Sequence, residues 1–364
     1  MARALTKIRD WYARFERPIS SLSLVGGFIC DAVALKRVDF FWENFWVIVH
    51  ILIVAIFIVL LNLQENEAMD EKDATRRHFW YINILQFFFG GLFSTFLVFY
   101  FKSGTILIAW PFLLMLLAAF IANESLKGHY ARIVFQIALF YLSILSFAIF
   151  IVPIFFHRIG RDIFLISDAA SLIVLGIFLL TLWLFAKEKF KKSKYALIYA
   201  VAGIFFLVNI LYFGNLIPPI PLSLKDAGMY HSLFRDNMGN YQVENEDQGR
   251  FAFFTLIPKI HLRLGEPLFA FSAIFSPTSF DTNIIHEWQK YDKNVGGWRT
   301  QSKINLSAVG GRDAGYRTYS MKNNLSAGKW RVNVETSDGQ IIGRLRFDVI
   351  FVDSEPALIK ETKN

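Results

Sequence analysis

Four polar side chains interrupt stretches otherwise made of Leu, Ile, Val and Phe: Asp31, His50, Asp168 and Asn209. Hydrocarbon penalises such groups, so they are the natural place for handling a proton, a cation or a lipid headgroup. Either the four converge on one site, or each finds a backbone or hydroxyl partner of its own. A second set lies in the last third of the chain. His286 and Trp288 flank Glu287, and Arg312, Tyr316 and Arg317 follow. With Trp298, Tyr319 and Trp330 they could build an aromatic platform edged by guanidinium groups, which suits sugar faces or anionic glycan and phospholipid groups. The competing reading packs Trp288 and Trp330 into a core.

His286-Glu287 is no catalytic dyad, because neighbouring residues of a strand point to opposite faces. His286 and Trp288 would share one face, with Glu287 on the other. The chain has no G-x-S-x-G, no H-E-x-x-H and no glycine-rich phosphate loop, the patterns that place nucleophiles, zinc ligands or phosphates. Its single cysteine, Cys30, lies in an apolar stretch, which excludes an intrachain disulfide. The residues point to no catalytic group, no metal ligand set and no cofactor.

The elements that hold these residues divide the chain in two. The sequence is 54% hydrophobic and contains 39 Phe, too apolar for a protein surrounded by water. Six runs have the roughly 20 apolar residues that cross a bilayer as helix: Phe41–Leu63, Phe79–Phe101, Thr105–Ala122, Ile133–Phe156, Ile163–Phe185 and Tyr195–Asn215. A weaker seventh run covers 18–35 and carries Asp31. It follows a basic amphipathic segment, 1–17, fit to lie against an anionic leaflet. Trp and Tyr gather at the span ends, as interfacial belts do.

Short loops retain Lys and Arg on the cytoplasmic side, so counting them tests the topology. If 18–35 crosses, fifteen Lys and Arg fall inside and five outside; if it does not, the two sides hold ten each. The asymmetric solution has seven helices, an internal N-terminus and an external C-terminal domain. The lysines Lys187, Lys189, Lys191, Lys192 and Lys194 read as its last basic loop. This distribution also accounts for the net charge of +8 without nucleic acid.

After a proline-rich exit, 216–228, short alternating runs separated by Gly, Pro, Asn and Asp read as strands. The runs KWRVNVE and IIGRLRFDVIF flank Ser337-Asp338-Gly339, and Asp-Gly is a strong hairpin signal. Seven to nine strands over 229–353 predict an immunoglobulin-like β-sandwich, followed by a tail, 354–364.

At these residues a resemblance appears. PPIPLSLKDAGMYH, PLFAFSAIFSP, IIHEWQKYD, GGRDAGYRTYSMK and AGKWRVNVETSDGQIIGRLRF resemble the bacterial membrane proteins of domain-of-unknown-function family 2914. The matching positions are His286, Trp288, Gly328, Trp330, Arg331, Val332, Gly339, Gly343 and Phe347, with a G-F-x-x-D element at Gly27-Phe28-Ile29-Cys30-Asp31. The resemblance implies a multi-helix region followed by a C-terminal domain and leaves the activity open.

The sequence therefore predicts a polytopic α-helical membrane bundle over 18–215, followed by an all-β sandwich, in a bacterial inner membrane. Membrane lipids and an envelope protein or glycan are the expected partners of a periplasmic, non-enzymatic binding domain. The alternative is a transporter or enzyme that works at the outer-half polar cluster, with the sandwich as its lid.

Overall fold

The computed structural model describes residues 28–29, 31–33, 35, 41–64, 71–103, 106–126, 129–130, 132–219, 222–237, 240–246, 257–275, 281–309, 316–354 and 356–363. Segment 1–17 and most of 18–35 lie outside them. Phe28, Ile29 and Asp31–Val33 are helical. Six helices follow: α1 (Phe41–Gln64), α2 (Glu71–Ser103), α3 (Ile106–Ser125), α4 (Ile133–Phe156), α5 (Arg161–Phe185) and α6 (Lys187–Phe213). Five stretches are long and apolar enough to cross a bilayer: Phe41–Leu63, Trp80–Phe101, Ile133–Phe156, Arg161–Phe185 and Lys187–Phe213. Ala109–Ser125 is shorter. The protein is a multi-pass membrane protein.

Aliphatic side chains such as Ile173, Ile177, Leu180 and Leu184 remain exposed along α5, as do Phe206 and Ile210 on α6. That is the surface lipid tails require, since exposed backbone is excluded from hydrocarbon and only side chains meet the lipid. Helix α4 packs against both α1 and α6. Phe140 of α4 meets Phe178 of α5 with ring centroids 4.4 Å apart, and Phe164 of α5 stacks on Tyr212 of α6 at 3.5 Å.

The lysine run reads from the sequence as a loop, but it forms the first turns of α6. Only Ala186, fully buried, separates α5 from α6. Its N–H donates to the Leu182 carbonyl and its own carbonyl accepts from the Phe190 N–H, so it ends one helix and starts the next. Lysine is a good helix former, and charge alone does not mark a loop.

The chain divides into two compact units. One comprises Met1–Lys102, Trp110–Phe156 and Asp162–Leu216; the other comprises Ser103–Ala109, His157–Arg161 and Ile217–Asn364. Among the described residues the second holds eleven strands: β1 (Ser223–Tyr230), β2 (Ser232–Arg235), β3 (Tyr241–Glu246), β4 (Lys259–Leu262), β5 (Leu268–Phe275), β6 (Asp281–Asp292), β7 (Gly297–Val309), β8 (Tyr316–Lys322), β9 (Gly328–Thr336), β10 (Ile341–Phe351) and β11 (Leu358–Lys363). They form sheets ordered β1-β5-β8, β4-β10-β9-β6-β7 and β11-β3-β2. Strands β9 and β10 pair antiparallel around the Asp-Gly turn, where Gly339 takes φ +79°, a conformation that costs glycine least.

Two strands fall where the sequence suggests none. β1 begins inside 216–228, whose prolines masked the alternation beyond them. β11 lies inside 354–364, where LIKETK pairs with β3 through its backbone, its side chains being mostly exposed. The main core takes Leu268 and Ala270 from β5 together with Trp288, Trp330, Val332, Phe347 and Val349 from the five-stranded sheet. Two sheets therefore share one apolar interior.

Candidate functional site

The four intramembrane polar residues separate into two places. Near α1 and α2, the Ser94 hydroxyl donates to the Asp31 carboxylate at 2.5 Å. His50 Nδ1 meets the Trp46 carbonyl at 2.9 Å, and its ring lies so close to Gly91 that a Cβ there would stand 3.1 Å from Nε2. Asp168 and Asn209 lie instead on α5 and α6. Asp168 is 3% exposed, and neither of its carboxylate oxygens has a hydrogen-bond partner.

A third polar group escaped the sequence reading. Asn62 donates to Gln136 Oε1 at 2.7 Å and Gln136 to the Tyr130 carbonyl at 2.5 Å. The Tyr130 hydroxyl donates to Asn123 Oδ1, and Asn123 donates to the Gln86 carbonyl at 2.9 Å. Gln86 closes the chain on Glu124 at 2.7 Å. This relay ties α1, α2, α3 and α4 together and looks structural, because bond follows bond along it. Amides near the ends of several spans were its only sequence signal.

In the β region the structure sets Trp288 in a different cluster from Tyr316. His286 and Trp288 are both 0% exposed, so a ligand arriving from solvent meets neither. The two imidazole nitrogens pair with Ser272 Oγ and Ser320 Oγ, each at 2.8 Å, and the Trp288 indole donates to Ser320 Oγ at 3.0 Å. Ser272 belongs to β5 and Ser320 to β8, so this network bolts the β1-β5-β8 sheet to the five-stranded sheet. Burial holds the His286 imidazole down at about 4. Tyr316 packs against a buried aliphatic cluster, Arg317 donates to the Lys363 carbonyl at 3.4 Å, and Arg312 lies outside the described residues.

The opposite face of β6 is polar. Glu287 accepts from Thr300 and Asn333 at 2.8 and 3.0 Å, and Lys303 stands 3.3 Å away. Further along that face Tyr291 and Trp298, partners across the β6–β7 ladder, meet edge to face at 5.4 Å. The Arg331 guanidinium lies 4.4 Å from the Trp298 ring centroid and donates to Gln289 Oε1 at 2.6 Å. Burial, followed by the charges of Arg344 and Arg346, lowers the Arg331 guanidinium to about 10. The hairpin that presents these rings closes on an Asx turn, with Asp292 Oδ1 accepting the Asn294 N–H at 2.9 Å, and on Gly296 at φ +67°.

Beside the rings opens a pocket of about 370 Å³, lined by Ile257, Tyr291, Trp298, Lys329, Trp330, Arg346 and Phe347. Lys329 and Arg346 are exposed at its rim. The sequence offered Trp298 as part of an aromatic platform edged by Arg312 and Arg317; the cation set against its ring is Arg331, a neighbour fixed by strand register, which the sequence does not display. Among the described residues no cluster of three or more His, Cys, Asp or Glu could hold a metal ion.

Residues 281–349 match the family described as "Protein of unknown function (DUF2914)". The chain carries a DUF2914 domain. The matched segment runs from β6 into β10 and includes every pocket-lining residue except Ile257. No curated protein matches the chain. Among solved structures, an immunoglobulin-like protein from Pseudomonas aeruginosa is 13% identical over 35% of this chain and 96% of its own, with a TM-score of 0.21. A β-glucosidase from Listeria innocua in complex with gluconolactone is 14% identical over 30% of this chain and 16% of its own, at 0.19. An alkylpurine DNA glycosylase from Pseudomonas fluorescens is 9% identical over 84% and 98%, at 0.22. At such scores none of the three bears on what the DUF2914 domain does.

Proposed function

We propose that this protein displays its β region on the outer side of a bacterial inner membrane, as an immunoglobulin-like sandwich that binds an anionic envelope glycan. Support for the sandwich comes from the interior shared by the β1-β5-β8 and five-stranded sheets. Support for the orientation comes from fifteen Lys and Arg against five across the predicted loops, by the retention rule. The pocket carries the binding reading. It sets Tyr291 and Trp298 beside the exposed cations Lys329 and Arg346. Rings offer the apolar face of a sugar a surface, and a lysine and an arginine together answer a carboxylate or phosphate. Among the described residues that line the pocket none is a carboxylate, histidine, cysteine or serine, and the reading adopted is recognition.

The test uses the full-length protein in nanodiscs and soluble peptide-free glycan fragments of peptidoglycan, whose muramic acid bears a free carboxylate. Trp298→Ala and Arg346→Ala should each weaken binding about tenfold or more, the loss of one interaction of about 1.4 kcal/mol. Tyr316→Ala and Arg317→Ala should leave binding unchanged. The reverse pattern would move the site to the Arg312–Arg317 region, and no binding by the parent protein would sink the glycan reading.

A further inference from the structure

We infer that Asp168 is the centre of a monovalent-cation site inside the helical bundle, one that takes H⁺ or Na⁺. The inference is independent of the glycan pocket and rests on a mismatch in polar pairing. Asp31 has Ser94 as a hydrogen-bond donor, and Asn62 and Gln136 are tied into the relay. Asp168 is 3% exposed with both carboxylate oxygens unpartnered, the only acid so placed among the described residues.

What surrounds it is oxygen-rich and uncharged. From α4 comes Tyr141, 0% exposed, whose hydroxyl also lacks a partner. From α5 itself comes Ser171, whose hydroxyl donates to the Asp168 carbonyl at 2.7 Å and so leaves its lone pairs free to accept. From α6 comes Asn209, which gives one amide hydrogen to the Phe205 carbonyl at 3.0 Å and holds its second beside the carboxylate. Tyr141 is the titratable group that faces Asp168, and no lysine, arginine or histidine among the described residues acts on it.

An ionised carboxylate left unpaired in such a setting is strongly disfavoured. No protein cation answers it, so a small external one must. Hard cations favour oxygen ligands, and Asp168, Tyr141, Ser171 and Asn209 supply oxygens from three helices. A proton needs only the carboxylate. Both occupants share one chemistry, neutralisation of Asp168, and experiment separates them.

Full-length protein in liposomes is treated with N,N′-dicyclohexylcarbodiimide, which adds to protonated carboxyl groups in apolar surroundings, and the adduct is mapped by mass spectrometry. Asp168 should label, and labelling should fall about fivefold or more as pH is raised and the proton leaves. If roughly 0.1 M NaCl, compared with KCl at equal ionic strength, suppresses labelling at fixed pH, the occupant is Na⁺. If only pH suppresses it, the occupant is H⁺. Tyr141→Phe, which keeps the carboxyl and the packing, should shift the pH midpoint or the Na⁺ concentration that protects. Failure of Asp168 to label, or labelling indifferent to both pH and Na⁺, would overturn the inference and leave a sealed neutral carboxyl.

Discussion

His286 serves the core as a rivet rather than as a reagent. It is a base whose folded pKa, about 4, lies below its ordinary value of 6.5. Its contribution to stability is therefore complete above about pH 6.5 and is lost as pH falls from there towards 4. The difference corresponds to about 3 kcal/mol. Hydrogen-exchange protection of β6 in the membrane-embedded protein, corrected for the intrinsic pH dependence of exchange, should fall across that window, and in His286→Gln the fall should disappear. Trp288 shares the Ser320 hydroxyl, so Ser320→Ala should loosen both side chains and cost about 1–3 kcal/mol by leaving an indole N–H and an imidazole nitrogen buried without a partner; chemical denaturation in detergent would measure it. The motif His-x-Trp was legible as residues on one face of one strand. Whether that face met solvent or the second sheet depended on which strand packed opposite, and adjacency in sequence carries no such information.

Strand β6 is the element with most to do, because its two faces have opposite tasks. One face carries His286 and Trp288 into the core. The other carries Glu287, Gln289 and Tyr291 into a polar lattice with β7, β9 and β10. Burial works against the Glu287 charge, but bonds from Thr300, Asn333 and Lys303 outweigh it and hold the carboxyl below the usual range. That stabilisation is present above about pH 4.5 and fades as pH falls through the lowered value. Lys303 also reaches Glu335 at 3.5 Å, so Lys303→Met leaves two neighbouring carboxylates without their shared cation. The denaturation midpoint should drop by the equivalent of about 0.5–1 kcal/mol near neutral pH, allowing for the solvent exposure of the lysine, and the loss should shrink in acid. Gly91→Ala belongs to the same scale. The added methyl would press on the His50 ring and push α1 from α2, lowering thermal stability without touching the β region. Helices and the Asp-Gly hairpin were readable because their periods and turn chemistry are local. β1 and β11 were not, because one follows prolines and the other consists largely of exposed residues held by backbone pairing.

At the scale of the whole molecule, the decisive quantity is which side of the membrane receives Asn364. A phosphatase fused there should be active and a fluorescent protein dark, since phosphatase matures only after export. The opposite result would place the glycan pocket in the cytosol and remove its proposed ligand. The count of Lys and Arg was legible without any structure. The division of Asp31, His50, Asp168 and Asn209 into two places was not, since the order of spans along a chain does not say which helices touch. Ala186 adds a constraint of another kind, on how the protein is made. Under the proposed orientation, α5 must halt passage through the insertion machinery and α6 must restart it with one residue between the two instructions. The lysines that enforce the halt are already part of the helix that gives the restart. Export of everything after Ile217 therefore hangs on a junction with no slack, and residues added at Ala186 would be read by the ribosome-bound translocon before they were ever felt by the fold.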